Sequence, residues 1–249
     1  MKSITILTFT LLSITNTLYA QEGEERKIPP FATEVYVDVP KVTPGKDNLP
    51  PSDAIVLFDG RNLDAWKKAG KDSVAGWNIE KGELVVAPKK GGIETRQKFG
   101  DIQLHIEWMS PVLKGEKGQG YSNSGIFFMS RYELQVLNSY ENETYSNGQA
   151  GSIYKQFPPL VNASTPPGTW QTYDVIFIAP KFSDKGTLIT PAKLTVFHNG
   201  VLIQNGANIL GGTEFRGLPK YKAHPDKLPL SLQDHTDPVR FRNIWVREL

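Results

Sequence analysis

Leu194-Thr195-Val196-Phe197-His198-Asn199-Gly200-Val201-Leu202-Ile203 is the stretch whose reading decides the fold. Two apolar, β-branched runs flank an Asn-Gly pair, which tolerates positive φ at both central positions of a two-residue turn. The stretch therefore predicts a β-hairpin. His198, beside the turn, is expected to be a solvated strand-end residue and not a ligand.

Outward from this hairpin, short β-branched and aromatic runs alternate with Gly, Asn, Asp and Pro clusters from Ile55 onward, and no window carries an amphipathic helix of three turns. That pattern predicts an all-β sandwich or barrel. Strands are expected over Ala54 to Phe58, Trp77 to Glu80, Glu83 to Val86, Gly92 to Thr95, Phe99 to Met109, Ser124 to Met129, Tyr132 to Leu137, Gln171 to Ala179, Ala192 to His198, Val201 to Ile203, Leu230 to His235 and Val239 to Arg247. Residues 53–249 are read as one domain, since all-β sandwiches commonly fill this length as a single unit.

Two segments precede it. Met1-Lys2, an apolar run from Ile4 to about Leu12, and Leu18-Tyr19-Ala20 have the layout of a secretory signal peptide over residues 1–20. Serines and threonines interrupt the run, which is too short to span a bilayer comfortably. The expectation is a periplasmic or secreted protein with no membrane span after cleavage. Residues 21–52 are rich in charge and proline and read as an extended lead-in, with Thr33 to Val39 as an edge strand.

Composition narrows the chemistry. Net charge is +2 over 249 residues and the basic residues are scattered, so nothing marks a nucleic-acid surface. Cysteine is absent, which removes disulfides, thiol nucleophiles and Cys-ligated zinc. There is no glycine-rich phosphate loop, no His-Glu-x-x-His, no Gly-x-Ser-x-Gly and no Ca²⁺-hand pattern.

Candidate site residues come from strand alternation. In Arg131-Tyr132-Glu133-Leu134-Gln135-Val136, Arg131, Glu133 and Gln135 share one face. A plain solvated face is the other explanation of such a row. Ser231-Leu232-Gln233-Asp234-His235 groups Ser231, Gln233 and His235, and if both polar faces look the same way, Glu133 and His235 form an acid–base pair. Gln103, His105 and Glu107 make a third row, expected to be a solvated outer face with Glu107 in reserve.

Asn123 and Ser124 sit at a turn before an apolar strand, where they can bind ligand or tie the turn. Arg242 suits sugar oxygens or a structural carboxylate. The long stretch from Asn138 to Thr169 carries Tyr140, Tyr145 and Tyr154, whose flat faces can stack on sugar rings or pack over a sheet edge. Asp234 and His235, with Glu133 nearby, are the candidates for a divalent metal.

An ordered set of segments resembles one family. The set runs Leu57-Phe58-Asp59-Gly60-Arg61-Asn62-Leu63 with Trp66, Asn123-Ser124-Gly125-Ile126, Tyr132-Glu133-Leu134-Gln135-Val136, Pro166-Pro167-Gly168-Thr169-Trp170-Gln171-Thr172-Tyr173-Asp174, His198-Asn199-Gly200, Leu232-Gln233-Asp234-His235 and Pro238-Val239-Arg240-Phe241-Arg242-Asn243-Ile244. Together they resemble the 3-keto-disaccharide (3-keto-glycoside) hydrolase domain. The resemblance implies a jelly-roll β-sandwich of the concanavalin A-like lectin/glucanase type. It also implies a carbohydrate substrate already oxidised at C3 by a separate oxidoreductase.

A C3 ketone acidifies the C2 hydrogen, so the glycosidic bond can leave by elimination, followed by hydration. Glu133 or His235 would move protons, with Arg131, Gln135 or a metal steadying the enolate; Asn123, Ser124, Tyr154, Gln233 and Arg242 would bind sugar. Two other readings stand beside this one: conventional hydrolysis by two carboxylates, for which the strand offers only Glu133, and a non-catalytic carbohydrate-binding module.

Overall fold

A computed structural model describes residues 28–47 and 49–249. The expected signal peptide, residues 1–20, lies outside the described residues. The chain divides into two compact units, 1–41 and 42–249. The second reaches further back than the 53–249 span read from sequence.

In the first unit a 3-10 turn, Pro30–Thr33, has proline at its opening positions, where the fixed φ suits a helical start. The edge strand expected over Thr33 to Val39 is not formed. Val35, Tyr36, Val37 and Val39 are all exposed, so the alternation has no face to bury and nothing to pair for. Among the described residues no helix is long and apolar enough to cross a membrane.

The second unit carries fifteen strands: β1 (Ile55–Phe58), β2 (Trp66–Lys68), β3 (Asn78–Glu80), β4 (Glu83–Val85), β5 (Ile93–Phe99), β6 (Ile102–Met109), β7 (Ser124–Phe128), β8 (Tyr132–Val136), β9 (Trp170–Ile178), β10 (Lys181–Phe182), β11 (Leu188–Thr190), β12 (Lys193–His198), β13 (Val201–Asn208), β14 (Leu228–Leu232) and β15 (Arg240–Glu248). An eight-stranded antiparallel sheet runs β13-β12-β9-β6-β15-β4-β3, with β1 also paired to β15. A five-stranded sheet runs β2-β5-β14-β7-β8. This is the all-β jelly-roll sandwich that the strand pattern and the resemblance predict.

Alternation supplies the core between the sheets. From β6 come Ile102, Leu104, Ile106 and Trp108; from β9, Tyr173, Val175 and Phe177; from the smaller sheet, Ile126, Phe128, Tyr132, Leu134 and Val136. Each set is a period-2 series, so one face of each strand is apolar throughout. Phe128 stacks on Phe177 across the sandwich at 4.7 Å between ring centroids.

The Asn-Gly hairpin forms as β12–β13, with Asn199 at φ 51° and Gly200 at φ 78°. His198 differs from its expectation. It shares the face of Leu194 and Val196 and is buried between Trp108 and Tyr173, with its Nε2 2.9 Å from Gln171 Oε1. Burial pushes its pKa down to about 4. Period 2 counted from Leu194 places this residue inward, and proximity to the turn does not override it.

Three further departures have local causes. The expected strand Phe99 to Met109 breaks at Gly100-Asp101, where the chain turns from β5 into β6. The strand expected to run to His235 stops at Leu232, because Asp234 turns the chain by accepting the Thr236 N–H. The Gln103, His105 and Glu107 row is not solvated: His105 and Glu107 are buried on the outer face of the eight-stranded sheet. Val42, Pro44, Leu49 and Pro51 line a cavity with Gln103 and His105 there, so these residues lie over this face.

Candidate functional site

β7 and β8 pair in register, Ser124 with Val136 through Phe128 with Tyr132. Tyr132, Leu134 and Val136 enter the core, so Glu133 and Gln135 must point out of the opposite face. That face is roofed. Residues 151–154 hydrogen-bond along the outer edge of β8, Gln135 N to Ser152 O and Tyr154 N to Glu133 O. Thr213 joins the same edge, its N–H donating to Arg131 O and its Oγ1 accepting from Glu133 N. The edge strand is thereby covered, and a half-open cavity of about 820 Å³ lies over the polar row.

Glu133, Gln135, Asn123, Gln233, His235 and Tyr154 all line this cavity. The structure thus brings together most of the residues singled out from sequence, and both members of the proposed acid–base pair. His235 is exposed at the rim, whereas Glu133 is 4% exposed on the floor. No cation lies within ion-pair distance of Glu133 among the described residues, and burial pushes its pKa up to about 8. Gly125 makes room for it: a Cβ there would stand 2.6 Å from Glu133 Oε1.

The Gln135 carboxamide lies between Gln119 Oε1 at 3.2 Å and Glu133 Oε1 at 3.1 Å. With its nitrogen turned to Glu133 it donates to that carboxylate and to Ser124 O; with its nitrogen turned to Gln119, its oxygen faces Glu133 and can only accept a proton from the neutral acid. Gln119 is itself held by its own Nε2, which donates to Gly148 O and Thr144 Oγ1.

The polar wall is fixed by backbone contacts. Asn123 Nδ2 donates to Gln119 O at 2.9 Å, and Gln233 N donates to Gly125 O at 3.0 Å. Gln233 Oε1 is buried with no donor among the described residues. Tyr145 and Tyr154 form the aromatic wall, their hydroxyls 2.8 Å apart, while Tyr140 is not part of the lining.

Lys155 completes that wall. Its Nζ donates to Phe215 O at 2.7 Å and sits 4.2 Å above the Phe215 ring, with the Tyr145 and Tyr154 rings at 5.7 and 5.8 Å.

Four expected site residues lie elsewhere or are committed. Arg131 precedes β8, directly after Met129 and Ser130, both in left-handed conformation, so alternation does not extend to it; it lines a neighbouring cavity. Ser124 faces the core and donates its Oγ to Gln233 O at 2.8 Å, so it positions the wall without reaching ligand. Arg242 is on the other sheet, bonded to Glu107 Oε2 at 2.6 Å and stacked 4.1 Å from the Trp170 ring. Asp234 accepts backbone N–H groups on both oxygens, from Gly91 at 2.8 Å and Thr236 at 2.9 Å.

Among the described residues no group of three or more His, Asp or Glu side chains is placed to hold a metal, and both oxygens of Asp234 are engaged by backbone N–H groups. The residues present do not fit a divalent ion, and no chemical step is routed through one.

Glu107, the reserve candidate, contrasts with Glu133. Burial pushes its pKa up, but hydrogen bonds from Asn243 and Arg242 outweigh that and hold the carboxyl below its ordinary value. Asn243, at φ 46° in a bulge of β15, bridges Glu107 at 2.9 Å and His105 at 3.3 Å, and His105 Nδ1 meets Asp174 Oδ1 at 2.7 Å. Glu107 is a neutralised tie between strands. Glu133 is desolvated and uncompensated, the state expected of a working acid or base.

Sequence reasoning missed Gln119, Phe127, Lys155, Thr213 and Phe215. Phe127 alternates with Gly125 on β7 and was within reach of the period-2 argument. The others stand in loops that carry no periodic signal.

The sequence profile of the 3-keto-alpha-glucoside-1,2-lyase-like domain matches residues 53–247. A Bacteroides thetaiotaomicron protein named 3-keto-disaccharide hydrolase is 26% identical, the alignment covering 78% of each chain. A crystal structure of a candidate glycosyl hydrolase from Parabacteroides distasonis superposes with a TM-score of 0.85 at 48% identity, covering 89% of this chain and 97% of that one. A second structure from the same organism, at 20% identity and a TM-score of 0.58, covers 82% of this chain and all of its own, and is similar in fold. The sandwich, the cavity on β7 and β8 and these matches lead to one conclusion: the chain belongs to the 3-keto-alpha-glucoside-1,2-lyase-like domain family.

Proposed function

We propose that this protein is an enzyme that cleaves the glycosidic bond of 3-keto-glycosides by elimination across C1–C2 followed by hydration. The observation that carries this reading is that Glu133 is the single carboxylate among the described residues lining the cavity. A two-carboxylate glycosidase needs a second acid flanking the bond. An elimination needs one base, because the ketone does the activating.

Glu133 as carboxylate removes the C2 proton, and the electron pair moves into the C3 carbonyl as an enolate. Its charge meets the Lys155 ammonium and the Gln135 amide, the donors that the cavity offers. The enolate collapses to a C1=C2 double bond as the C1–O bond breaks, and the departing oxygen takes a proton from His235. Water then adds: its hydroxyl goes to C1 as its proton passes to His235, restoring that acid, and Glu133 returns its proton to C2, which regenerates the carboxylate and releases the 3-keto sugar.

A desolvated carboxylate is a stronger base than an exposed one, which suits abstraction of a weakly acidic C–H. Its cost is that only about a tenth of Glu133 is ionised at pH 7 for a pKa of about 8. The substrate has to be supplied by a separate oxidoreductase that converts the C3 hydroxyl to a ketone. The signal-like residues 1–20 place the enzyme in the periplasm or outside the cell under this reading.

The test is the pH profile of kcat/KM on a 3-keto-glucoside. Activity should rise with pH on a limb near 8, and Glu133→Gln should lower kcat by at least about a hundredfold. Undiminished turnover in Glu133→Gln would overturn the assignment of the base.

A further inference from the structure

Among the described residues the arginines are, with two exceptions, paired with a carboxylate. Arg61, Arg96, Arg240, Arg242 and Arg247 each reach a carboxylate at 2.6 to 3.6 Å. Among the described residues Arg131 and Arg216 have no such partner. Arg216 lies over the Phe215 ring, which lines that cavity.

Arg131 opens onto a second cavity of about 190 Å³ together with Lys220 and Lys222, and neither lysine makes an ion pair among the described residues. One carboxylate, Glu214, faces these three cations. Phe127 and Thr213 line both cavities, so the small one adjoins the large one across a shared wall.

The excursion that carries the lysines is built, not loose. Gly211 packs its backbone so close to Lys220 that a Cβ would stand 2.4 Å from Lys220 N. Gly212 N donates to Lys220 O, and Thr213 N donates to Arg131 O. These contacts fix the backbone of Lys220 and of Arg131 beside this segment. The three exposed cations outnumber the one carboxylate, Glu214, so the cavity carries net positive charge and attracts an anion. A space of this size has room for an acidic substituent.

From this we infer that the small cavity is an anion subsite, which receives a carboxylate or sulfate group carried by the leaving sugar. This rests on the elimination reading of the large cavity and adds the class of substrate: acidic 3-keto-disaccharides ahead of neutral ones. The wild-type enzyme would be assayed on three 3-keto-glucosides whose leaving groups are glucose, glucuronate and a sulfated glucose.

At low ionic strength kcat/KM for at least one acidic substrate should exceed that for the neutral one by about tenfold or more, and the ratio should fall toward one in 0.5 M salt. The carboxylate and sulfate arms tell which anion the site takes. A combined Arg131→Gln, Lys220→Gln, Lys222→Gln variant should erase the ratio. Equal rates on all three substrates, or a preference that survives both salt and the variant, would overturn the subsite. Turnover of the neutral substrate reports on the elimination reading separately.

Discussion

Replacing Glu133 by Gln should make the protein's stability less sensitive to alkali. The folded carboxyl is pushed from an ordinary 4.5 up to about 8 by burial. Between those values the unfolded chain has released this proton and the folded chain still holds it, so stability falls as pH rises. Below about pH 4.5 both states are protonated and the contribution is full; above about pH 8 it is lost. At about 1.4 kcal/mol per pH unit, this amounts to roughly 4 kcal/mol between pH 5 and pH 8.5.

That is a large share of the roughly 5–15 kcal/mol typical of a domain. Gln keeps the shape and never ionises. Urea unfolding of both proteins at the two pH values isolates the term, since every other titrating group is common to the pair. The wild type should lose several kcal/mol more than the variant. Parallel losses, within about 1 kcal/mol, would refute the claim that Glu133 is a desolvated and uncompensated acid.

Two further outcomes follow from the geometry. Gly125→Ala would place a methyl 2.6 Å from Glu133 Oε1, so kcat should fall by about tenfold or more while thermal unfolding shifts only modestly, measured by steady-state kinetics beside calorimetry. Arg242→Gln removes the cation from the buried Glu107 and should cost about 2–4 kcal/mol of stability by urea unfolding, with KM for a 3-keto-glucoside unchanged because Arg242 is on the other sheet.

The parts of the fold that strand alternation controls were legible in the sequence. Asn199-Gly200 set the hairpin, and Tyr132, Leu134 and Val136 fixed which way Glu133 and Gln135 point. Legibility ended where alternation did. Arg131 follows a left-handed Met129-Ser130 pair and leaves the row, and Asn243 is re-aimed by a bulge. Lys155 and Phe215 reach the cavity from loops whose paths depend on contacts distant in sequence.

His105 and Glu107 show a different limit. Their row reads as solvated because strand patterning cannot register that the proline-rich residues 42–51 lie over it. Asp234 and His235 are adjacent in sequence, yet one is spent on a turn and the other opens onto the cavity. Adjacency in a strand-end tetrapeptide says little about shared chemistry once the strand stops at Leu232.

The most direct test compares purified protein on a 3-keto-glucoside and on its unoxidised parent. Release of the leaving group from the keto sugar alone is the predicted result, because the lone carboxylate of the cavity depends on the ketone for activation. Release from both sugars at comparable rates would contradict it.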